Sequence, residues 1–293
     1  MHMGDTVFLF LSTVMVMIMT PGLALFYGGM VRSKNVLSTT MHSYSAMAIV
    51  SIQWIFIGYS LAFGPDWNGL IGNFDWFGFN VGSTLTLNDV ALTAFINTNT
   101  AAAASALTWM LTEWFFQKKP TVLGAACGAV SGLVAITPSC GFVTPLSALI
   151  IGAIGGALCF LAVYFLKHKL GYDDALDAFG CHGIGGTWGG IATGLFATTS
   201  VNSAGADGLF YGNAALLWKQ LLAIGATYAF TATMTYAIIK GISLFLPVRA
   251  HEHEEKMGLD LSLHGERAYE QIESLGDMFD GKLDHQGGYN SPR

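Results

Sequence analysis

A lone histidine, His182, lies in an otherwise apolar and glycine-rich stretch with the sequence "DAFGCHGIGGTWGG". An imidazole in such a place is able to bind a metal, carry a proton, line a pore, or act as a hydrogen-bonded core residue. The spacing argues against a metal site, because no second His, Cys or carboxylate lies three or four residues away. A role in a pore or in proton transfer stays open beside a structural role, in which the neutral ring bonds neighbouring helices.

Glycines follow His182 at four-residue spacing, at Gly186, Gly190 and Gly194. Residues four apart lie on the same face of a helix, and small residues on that face let another helix approach closely. Two further ladders of this kind occur in the chain, at Gly124, Gly128 and Gly132 and at Gly152 and Gly156. We therefore expect tightly packed helices without a wide aqueous channel, and we expect His182 to lie on the packed stripe.

The elements that carry these residues are predicted membrane spans. Of the 293 residues, 53% are hydrophobic and only 11% are charged, against about 25% charged in soluble domains. Apolar runs of roughly 20 residues, the length that crosses a hydrocarbon core of about 30 Å, recur along the chain. Seven such spans are predicted, at 7–30, 43–63, 88–116, 121–139, 146–166, 180–198 and 217–246. The sequence thus predicts an all-α, polytopic membrane helix bundle.

Positive charge alternates between successive loops. Lysine and arginine follow the first, third, fifth and seventh spans, at Arg32, Lys34, Lys118, Lys119, Lys167, Lys169 and Arg249. The loops 64–87, 139–145 and 199–216 contain neither residue, and Lys219 is the exception on that side. Because cytoplasmic loops are enriched in Lys and Arg, the pattern predicts an N-terminus outside the cell and a C-terminus in the cytoplasm, with the protein in the cell membrane.

Charge also divides the chain into a membrane domain, 1–249, and a tail, 250–293. The tail holds ten of the nineteen acidic residues and four of the thirteen basic ones, so it carries the whole net charge of −6. An acidic segment repels anionic lipid and nucleic acid, which makes a protein the expected partner. We expect Gly258–Tyr269 to be the ordered part of the tail. We expect it to pack against the cytoplasmic loops that bear Lys118, Lys119, Lys167 and Lys169.

The spans lack the side-chain combinations that enzymes use. They contain no nucleophile paired with a base, no phosphate-binding loop, no paired carboxylates and no cluster of metal ligands. The four cysteines lie in or beside apolar spans without C-x-x-C spacing, so they predict small buried residues and neither a disulfide nor a metal site. We expect no enzymatic activity, no catalytic residues and no cofactor.

Several motifs, in order along the whole chain, resemble the ammonium transporter (Amt) branch of the Amt/Rh family. They are "TPGLALFYGGMVRSKNVLS" (20–38), "WIFIGYSLAFG" (54–64), "WFGFNVGS" (76–83), "NTNTAAAASALTWM" (97–110), "GLVAITPSCGFV" (132–143), "DAFGCHGIGGTWGGIATGLFA" (177–197) and "GLDLSLHGERAY" (258–269). The resemblance implies an eleven-helix protomer in a homotrimer, with two inverted five-helix halves around a narrow hydrophobic pore. Two histidines, one from each half, line that pore in the family.

The chain departs from the family pattern near residues 74–76. The sequence passes from "LIGNFDW" directly into "WFGFNVGS", which resembles the outer end of the sixth family helix. The third, fourth and fifth family helices and most of the sixth have no counterpart, and the first pore histidine is missing with them. Both ends of this internal deletion are expected outside the cell, so the alternation of loop charge is preserved.

The resemblance assigns roles to three residues of this chain. His182 matches the second pore histidine, whose neutral ring faces ammonia and shares in proton transfer. Phe79 matches an aromatic gate at the outer pore mouth, and Ser83 matches a hydroxyl that accepts a hydrogen bond from ammonium. Each role depends on partner residues that are missing here, which predicts impaired or altered conduction.

Two functions follow as hypotheses. The first is transport of ammonium or ammonia across the membrane through a hydrophobic pore. The alternative is a non-conducting membrane sensor or regulatory subunit, whose tail binds a signalling protein of the PII type.

Overall fold

A computed structural model of the chain describes residues 3–53, 80, 84 and 86–269. The described residues form helices and connecting turns, with no strand among them. The helices are α1 (Met3–Met30), α2 (Val36–Gln53), α3 (Asp89–Gln117), α4 (Val122–Ile136), α5 (Pro145–Leu161), α6 (Lys167–Leu170), α7 (Gly185–Phe196), α8 (Ala214–Ser243), α9 (Glu252–Met257) and α10 (Leu259–His264). Two π-helical turns, Ala162–Leu166 and Phe179–Ile184, precede α6 and α7. The predicted deletion at 74–76 and the tail beyond Tyr269 lie outside the described residues.

Four helices are long and apolar enough to cross a membrane: Gly4–Met30, Asp89–Gln117, Pro145–Leu170 and Ala214–Ser243. They confirm four of the seven predicted spans by length and composition. The other three predicted spans overlap shorter described elements. These are α4 with 15 residues, α7 with 12 residues and its preceding π-helical turn, and α2, which is described as far as Gln53. The all-α membrane bundle predicted from the sequence is confirmed.

The helices α3, α4 and α5 approach to backbone contact through glycines. A Cβ atom placed on Gly152 would lie 2.3 Å from the Ala101 carbonyl oxygen, and one on Gly156 would lie 2.4 Å from that of Ser105. On α4, a Cβ at Gly132 would lie 2.5 Å from the Ala101 oxygen. Real Cβ atoms do not approach other atoms so closely, so these two ladders do mark close helix packing, as expected.

Buried polar side chains close the ends of these helices. The amide of Asn97, fully buried in α3, donates to the carbonyls of Cys140 and Val143 at 2.7 Å each, which holds the loop between α4 and α5. Glu113 is 5% exposed and accepts hydrogen bonds from the Thr121 amide and hydroxyl at 3.1 and 2.9 Å. Thr121 in turn caps α4 by accepting from the Gly124 amide at 2.8 Å.

The chain forms two compact units. Among the described residues, one comprises 3–18, 80, 84 and 86–245, and the other comprises 19–53 and 246–269. The second unit therefore joins the end of α1 and the helix α2 to the described part of the tail. The predicted division into a membrane domain, 1–249, and a tail, 250–293, stays a prediction.

An aspartate of the tail caps α2. Asp260, 1% exposed, accepts hydrogen bonds from the backbone amides of Leu37 at 3.0 Å and Ser38 at 2.7 Å. These amides belong to the first turn of α2, where backbone donors have no partner within the helix and the helix dipole favours a negative charge. The carboxylate therefore supplies both hydrogen-bond acceptors and a favourable charge.

Two further contacts hold the tail in the same place. The amide of Leu259 donates to the Asn35 side-chain oxygen at 2.9 Å, and the Lys34 ammonium donates to the carbonyls of Glu255, at 2.9 Å, and Lys256. Gly258 has a φ of 107° and packs directly on Lys34, where a Cβ atom would lie 2.7 Å from the lysine Cβ. The tail segment is ordered, as expected. Its contacts here are with the loop after the first span, a loop that was not among those expected to bind the tail. Its buried carboxylate, Asp260, binds backbone amides and not a lysine.

Replacement of Asp260 by Ala is expected to release the tail. Two amides of α2 would lose their acceptor, at a cost of about 1–3 kcal/mol for a buried hydrogen-bonding group left unpaired. Limited trypsin digestion would then cut at Lys256 and Arg267 faster than in the unmodified protein. The matched control is Glu252→Gln, because Glu252 is exposed and forms an ion pair with Lys256 one helical turn later. Equal digestion rates for the two variants would contradict the capping role.

Replacement of Gly152 by Ala is expected to destabilise the α3–α4–α5 core by about 1–3 kcal/mol, the usual cost of overpacking. The control is Gly225→Ala in α8, where an added Cβ would have no neighbour within 4 Å. That change should be neutral or should stabilise the helix by about 0.5–1 kcal/mol. Unfolding in mixed detergent micelles, followed by circular dichroism, measures both. A Gly152→Ala protein as stable as the control would show that this contact is not close-packed.

Candidate functional site

The π-helical turn Phe179–Ile184 carries His182 and begins at a well-anchored point. The carboxylate of Asp174 accepts hydrogen bonds from the amides of Ala178 at 3.0 Å and Phe179 at 2.9 Å. Just before the turn, Asp177 adopts a φ of 54°, uncommon for a residue with a side chain. Its carboxylate lies 2.6 Å from the Lys167 ammonium. The start of the histidine segment is thus fixed by the Asp174 carboxylate, by the Lys167–Asp177 ion pair and by the left-handed backbone at Asp177.

An aromatic contact supports the same segment. The Tyr172 ring meets the Phe179 ring edge-on, with 5.7 Å between the centroids. Desolvation raises the pKa of the Tyr172 hydroxyl, and the nearby Asp174 carboxylate raises it further. The phenol is therefore neutral at physiological pH.

The glycine stripe that follows His182 is packed at one end and open at the other. A Cβ on Gly194 would lie 2.6 Å from Leu217 Cα of α8, and one on Gly190 would lie 2.9 Å from Ile224 Cδ1. At Gly186 the nearest atom would be 3.9 Å away. The expectation that His182 lies on a tightly packed stripe is therefore wrong for this end of the ladder, where α7 and α8 leave a gap.

That gap is a cavity of about 420 Å³ between α7 and α8, and His182 is part of its wall. Glycines form much of the wall on the α7 side, so the backbone itself is accessible from the cavity. The lining residues are Pro138, His182, Gly183, Gly186, Thr187, Gly190, Gln220, Ala223, Ile224, Thr227, Tyr228 and Thr231. The volume is ample for water or a small polar solute.

The helix α8 contributes a polar stripe that the sequence analysis missed. Gln220, Thr227, Tyr228 and Thr231 are spaced by seven, one and three residues, which places them on one face of the helix. All four line the cavity. The signal was present in the sequence as polar residues at helical spacing within an apolar run, which was predicted only as the membrane span 217–246. Polar side chains inside a span usually face a cavity or the interior of the protein.

A hydrogen-bond network joins this stripe to the histidine segment. The Thr187 hydroxyl donates to the Gly183 carbonyl at 2.7 Å. The Tyr228 hydroxyl lies 2.7 Å from the Thr187 oxygen and 3.3 Å from the same carbonyl. Gly183 directly follows His182, so α8 is tied to the backbone next to the imidazole. Such π-helical turns are frequent at functional sites because they displace carbonyls from the regular helix pattern.

The other two predicted site residues, Phe79 and Ser83, lie outside the described residues, and their roles stay predictions. Asn80, between them, donates from its side-chain amide to the Thr98 hydroxyl of α3 at 3.0 Å. Across the described part of the chain, no group of three or more His, Cys, Asp or Glu side chains is placed to hold a metal ion. The four cysteines are buried and free.

Comparison with known proteins places this arrangement in a family. A sequence profile described as Ammonium Transporter Family matches residues 7–75 and 74–269. The ammonium transporter of Bacillus subtilis is 47% identical over 401 positions, which cover 92% of this chain and 99% of the relative. Ammonium transporter Amt1 of Archaeoglobus fulgidus is 30% identical over 392 positions, covering 91% of this chain and 99% of that protein.

Solved structures show the same fold. A Mep2 mutant from Candida albicans superposes with a TM-score of 0.79 at 25% identity, covering 92% of this chain and 90% of that one. A protein described as a sensor Amt protein superposes with a TM-score of 0.77 at 18% identity, covering 89% of this chain and 98% of the other.

The comparisons also bear on the shortened sequence. The two profile matches meet at residues 74 and 75, beside the predicted deletion. The alignment with the Bacillus subtilis protein is longer than the 293 residues of this chain, so more than a hundred positions of the relative have no counterpart here. With a profile match over most of its length and a relative at 47% identity, the chain belongs to the ammonium transporter family.

Proposed function

We propose that this protein transports ammonium or ammonia across the membrane, along a path that passes His182. The observation that carries the proposal is the cavity between α7 and α8, whose wall includes this imidazole within a predicted span. A titratable side chain in a span is costly, and it usually marks a substrate or proton route. The family membership supports the same substrate.

The proposed mechanism separates the proton from the nitrogen. An ammonium ion that leaves water for a low-dielectric path loses its hydration energy, whereas neutral ammonia loses far less. A neutral imidazole at His182 is able to face ammonia and to take part in proton transfer, because its unperturbed pKa of about 6.5 is near neutrality. At the outer mouth, Phe79 would attract the partly dehydrated cation with its ring face, and Ser83 would accept a hydrogen bond from it.

The missing helices set the expected limits of this transport. The first pore histidine of the family pattern has no counterpart here, so His182 lacks its usual partner in proton transfer. The cavity is bordered instead by α8, whose lining side chains are hydroxyl, amide and apolar groups. We expect transport with altered rate or altered proton coupling relative to full-length relatives.

The proposal includes the setting of the protein. The loop charges favour a cell-membrane protein with its N-terminus outside and its C-terminus in the cytoplasm. A homotrimer is the assembly that the family resemblance implies, and the ordered segment Gly258–Tyr269 offers a cytoplasmic surface for a regulator of the PII type.

Uptake of labelled methylammonium into proteoliposomes containing the full chain tests the transport function. The variant His182→Leu should abolish uptake or its proton coupling while the helical content stays unchanged. The control is His168→Gln, because His168 is exposed in the short helix α6. If His182 were only a structural bond between helices, the leucine variant would instead lose about 0.6–1.7 kcal/mol of stability, with uptake at the unmodified level.

The same vesicles separate transport from the sensor alternative. Binding of a PII-type protein to the tail, measured in the absence of any uptake, would favour the sensor. Uptake by the unmodified chain would favour the transporter whether or not the tail binds a regulator.

A homo-oligomer, expected as a trimer, should be the dominant species in native mass measurement from lipid nanodiscs. Half of one inverted repeat is missing by comparison with the family, which leaves small-residue faces that a neighbouring protomer is able to cover. Predominant monomers under these conditions would contradict this part of the proposal.

A further inference from the structure

We propose that Thr187, Tyr228 and the Gly183 carbonyl form a hydrogen-accepting site for the ammonium ion on the cavity wall beside His182. The inference rests on the proposed function, since it names binding groups for the same substrate. It goes further because it assigns binding to α8, which carries no residue that the family resemblance selected.

The positions of the hydroxyl protons decide what the site is able to bind. The Thr187 hydroxyl proton is directed to the Gly183 carbonyl at 2.7 Å or, when the Tyr228 proton is on that carbonyl, to the Tyr228 oxygen at 2.7 Å. The Tyr228 proton is directed either to Thr187 at 2.7 Å or to the same carbonyl at 3.3 Å. In both arrangements the two protons are used within the network. The Thr187 and Tyr228 oxygens then expose only lone pairs to the cavity, and a lone pair accepts a hydrogen bond from a donor.

Ammonium fits such a wall because it has four N–H donors and no lone pair. A cation without N–H groups, such as tetramethylammonium, would form no hydrogen bonds with these oxygens. The Tyr228 ring adds an electron-rich face beside the hydroxyl. Further acceptors on α8 line the same cavity: Thr227 directly precedes Tyr228, Thr231 follows it after about one helical turn, and Gln220 lies two turns before Thr227.

The charge of the wall suits a site that must release its ligand. Among the residues that line the cavity, none is acidic, and His182 is the one residue of a type whose ordinary pKa lies near neutrality. Neutral acceptors hold a cation more weakly than a carboxylate does, and conduction requires binding that is easily reversed. A wall of hydroxyls and carbonyls therefore favours transient occupancy.

The network also fixes the geometry of the site. The Gly183 carbonyl belongs to the π-helical turn that carries His182, and Tyr228 belongs to α8. The hydrogen bonds therefore join α8 to the turn that carries His182, and the accepting oxygens line the same cavity as the imidazole. Binding and deprotonation would then share one wall of the cavity.

Isothermal titration of the full chain in lipid nanodiscs with ammonium chloride tests the site. Two variants remove one hydroxyl each with little change of shape, Tyr228→Phe and Thr187→Val. Each should weaken ammonium binding about tenfold or more, because each deletes a hydrogen bond to a charged ligand. Thr187→Ser keeps the hydroxyl and should restore the unmodified affinity.

Two controls accompany the variants. Thr233→Val removes a hydroxyl of α8 that bonds the Ala229 carbonyl of its own helix and does not line the cavity, so it should bind ammonium like the unmodified chain. Tetramethylammonium, which has the same charge without N–H groups, should bind clearly more weakly than ammonium. Circular dichroism verifies that each variant is folded.

Binding at equilibrium is measured apart from uptake, so the two proposals fail in different ways. Ammonium binding that the variants weaken, without methylammonium uptake, would support the site and overturn transport. Uptake with unchanged binding in Tyr228→Phe and Thr187→Val would support transport and overturn the site. Absence of ammonium binding to the unmodified chain, or equal binding of tetramethylammonium, would also overturn it.

Discussion

Three helices approach to backbone contact because glycine places no Cβ atom between them. The oxygens of Ala101 and Ser105 in α3 occupy the space that side chains on Gly152 and Gly156 would need. Hydrocarbon provides no hydrophobic drive for helices to associate, so close van der Waals packing has to hold them. The loops fixed by Asn97 and Glu113 join the same three helices, and the histidine segment packs on them. The close packing on which the larger unit is built thus requires glycine at these positions, because a Cβ atom there would separate the helices.

Close packing gives way to a cavity where the helix changes its winding. Gly194 and Gly190 pack closely on α8, whereas Gly186 has no close neighbour there and the Tyr228 hydroxyl joins α8 to Thr187 and Gly183. The π-helical turn Phe179–Ile184 lies at this end and carries the imidazole. Its start is fixed by the Lys167–Asp177 ion pair, and the hydroxyl network of α8 binds the backbone that follows His182. A polar residue in the membrane is thus placed by several weak contacts, each of which also satisfies a backbone group.

Part of this arrangement follows from sequence pattern and part does not. Four-residue spacing of small residues predicted the contacts of Gly132, Gly152 and Gly156, because helix geometry alone puts them on one face. The same rule failed near His182, since a π-helical turn has no local sequence signature and alters the register. The polar stripe of α8 was visible as spacing, but in an apolar run its partners could be found only in three dimensions. Phe79 and Ser83 stand on resemblance alone.

The contact between Asp260 and α2 joins residues separated by 222 and 223 positions in the chain. During synthesis the carboxylate that completes the first turn of α2 is added 222 residues after the Ser38 amide that it binds. Until Asp260 has been made, the first turn of α2 lacks this acceptor and must rely on water or lipid headgroups at the membrane surface. The smaller unit therefore closes only after the segment that carries Asp260 has been synthesised.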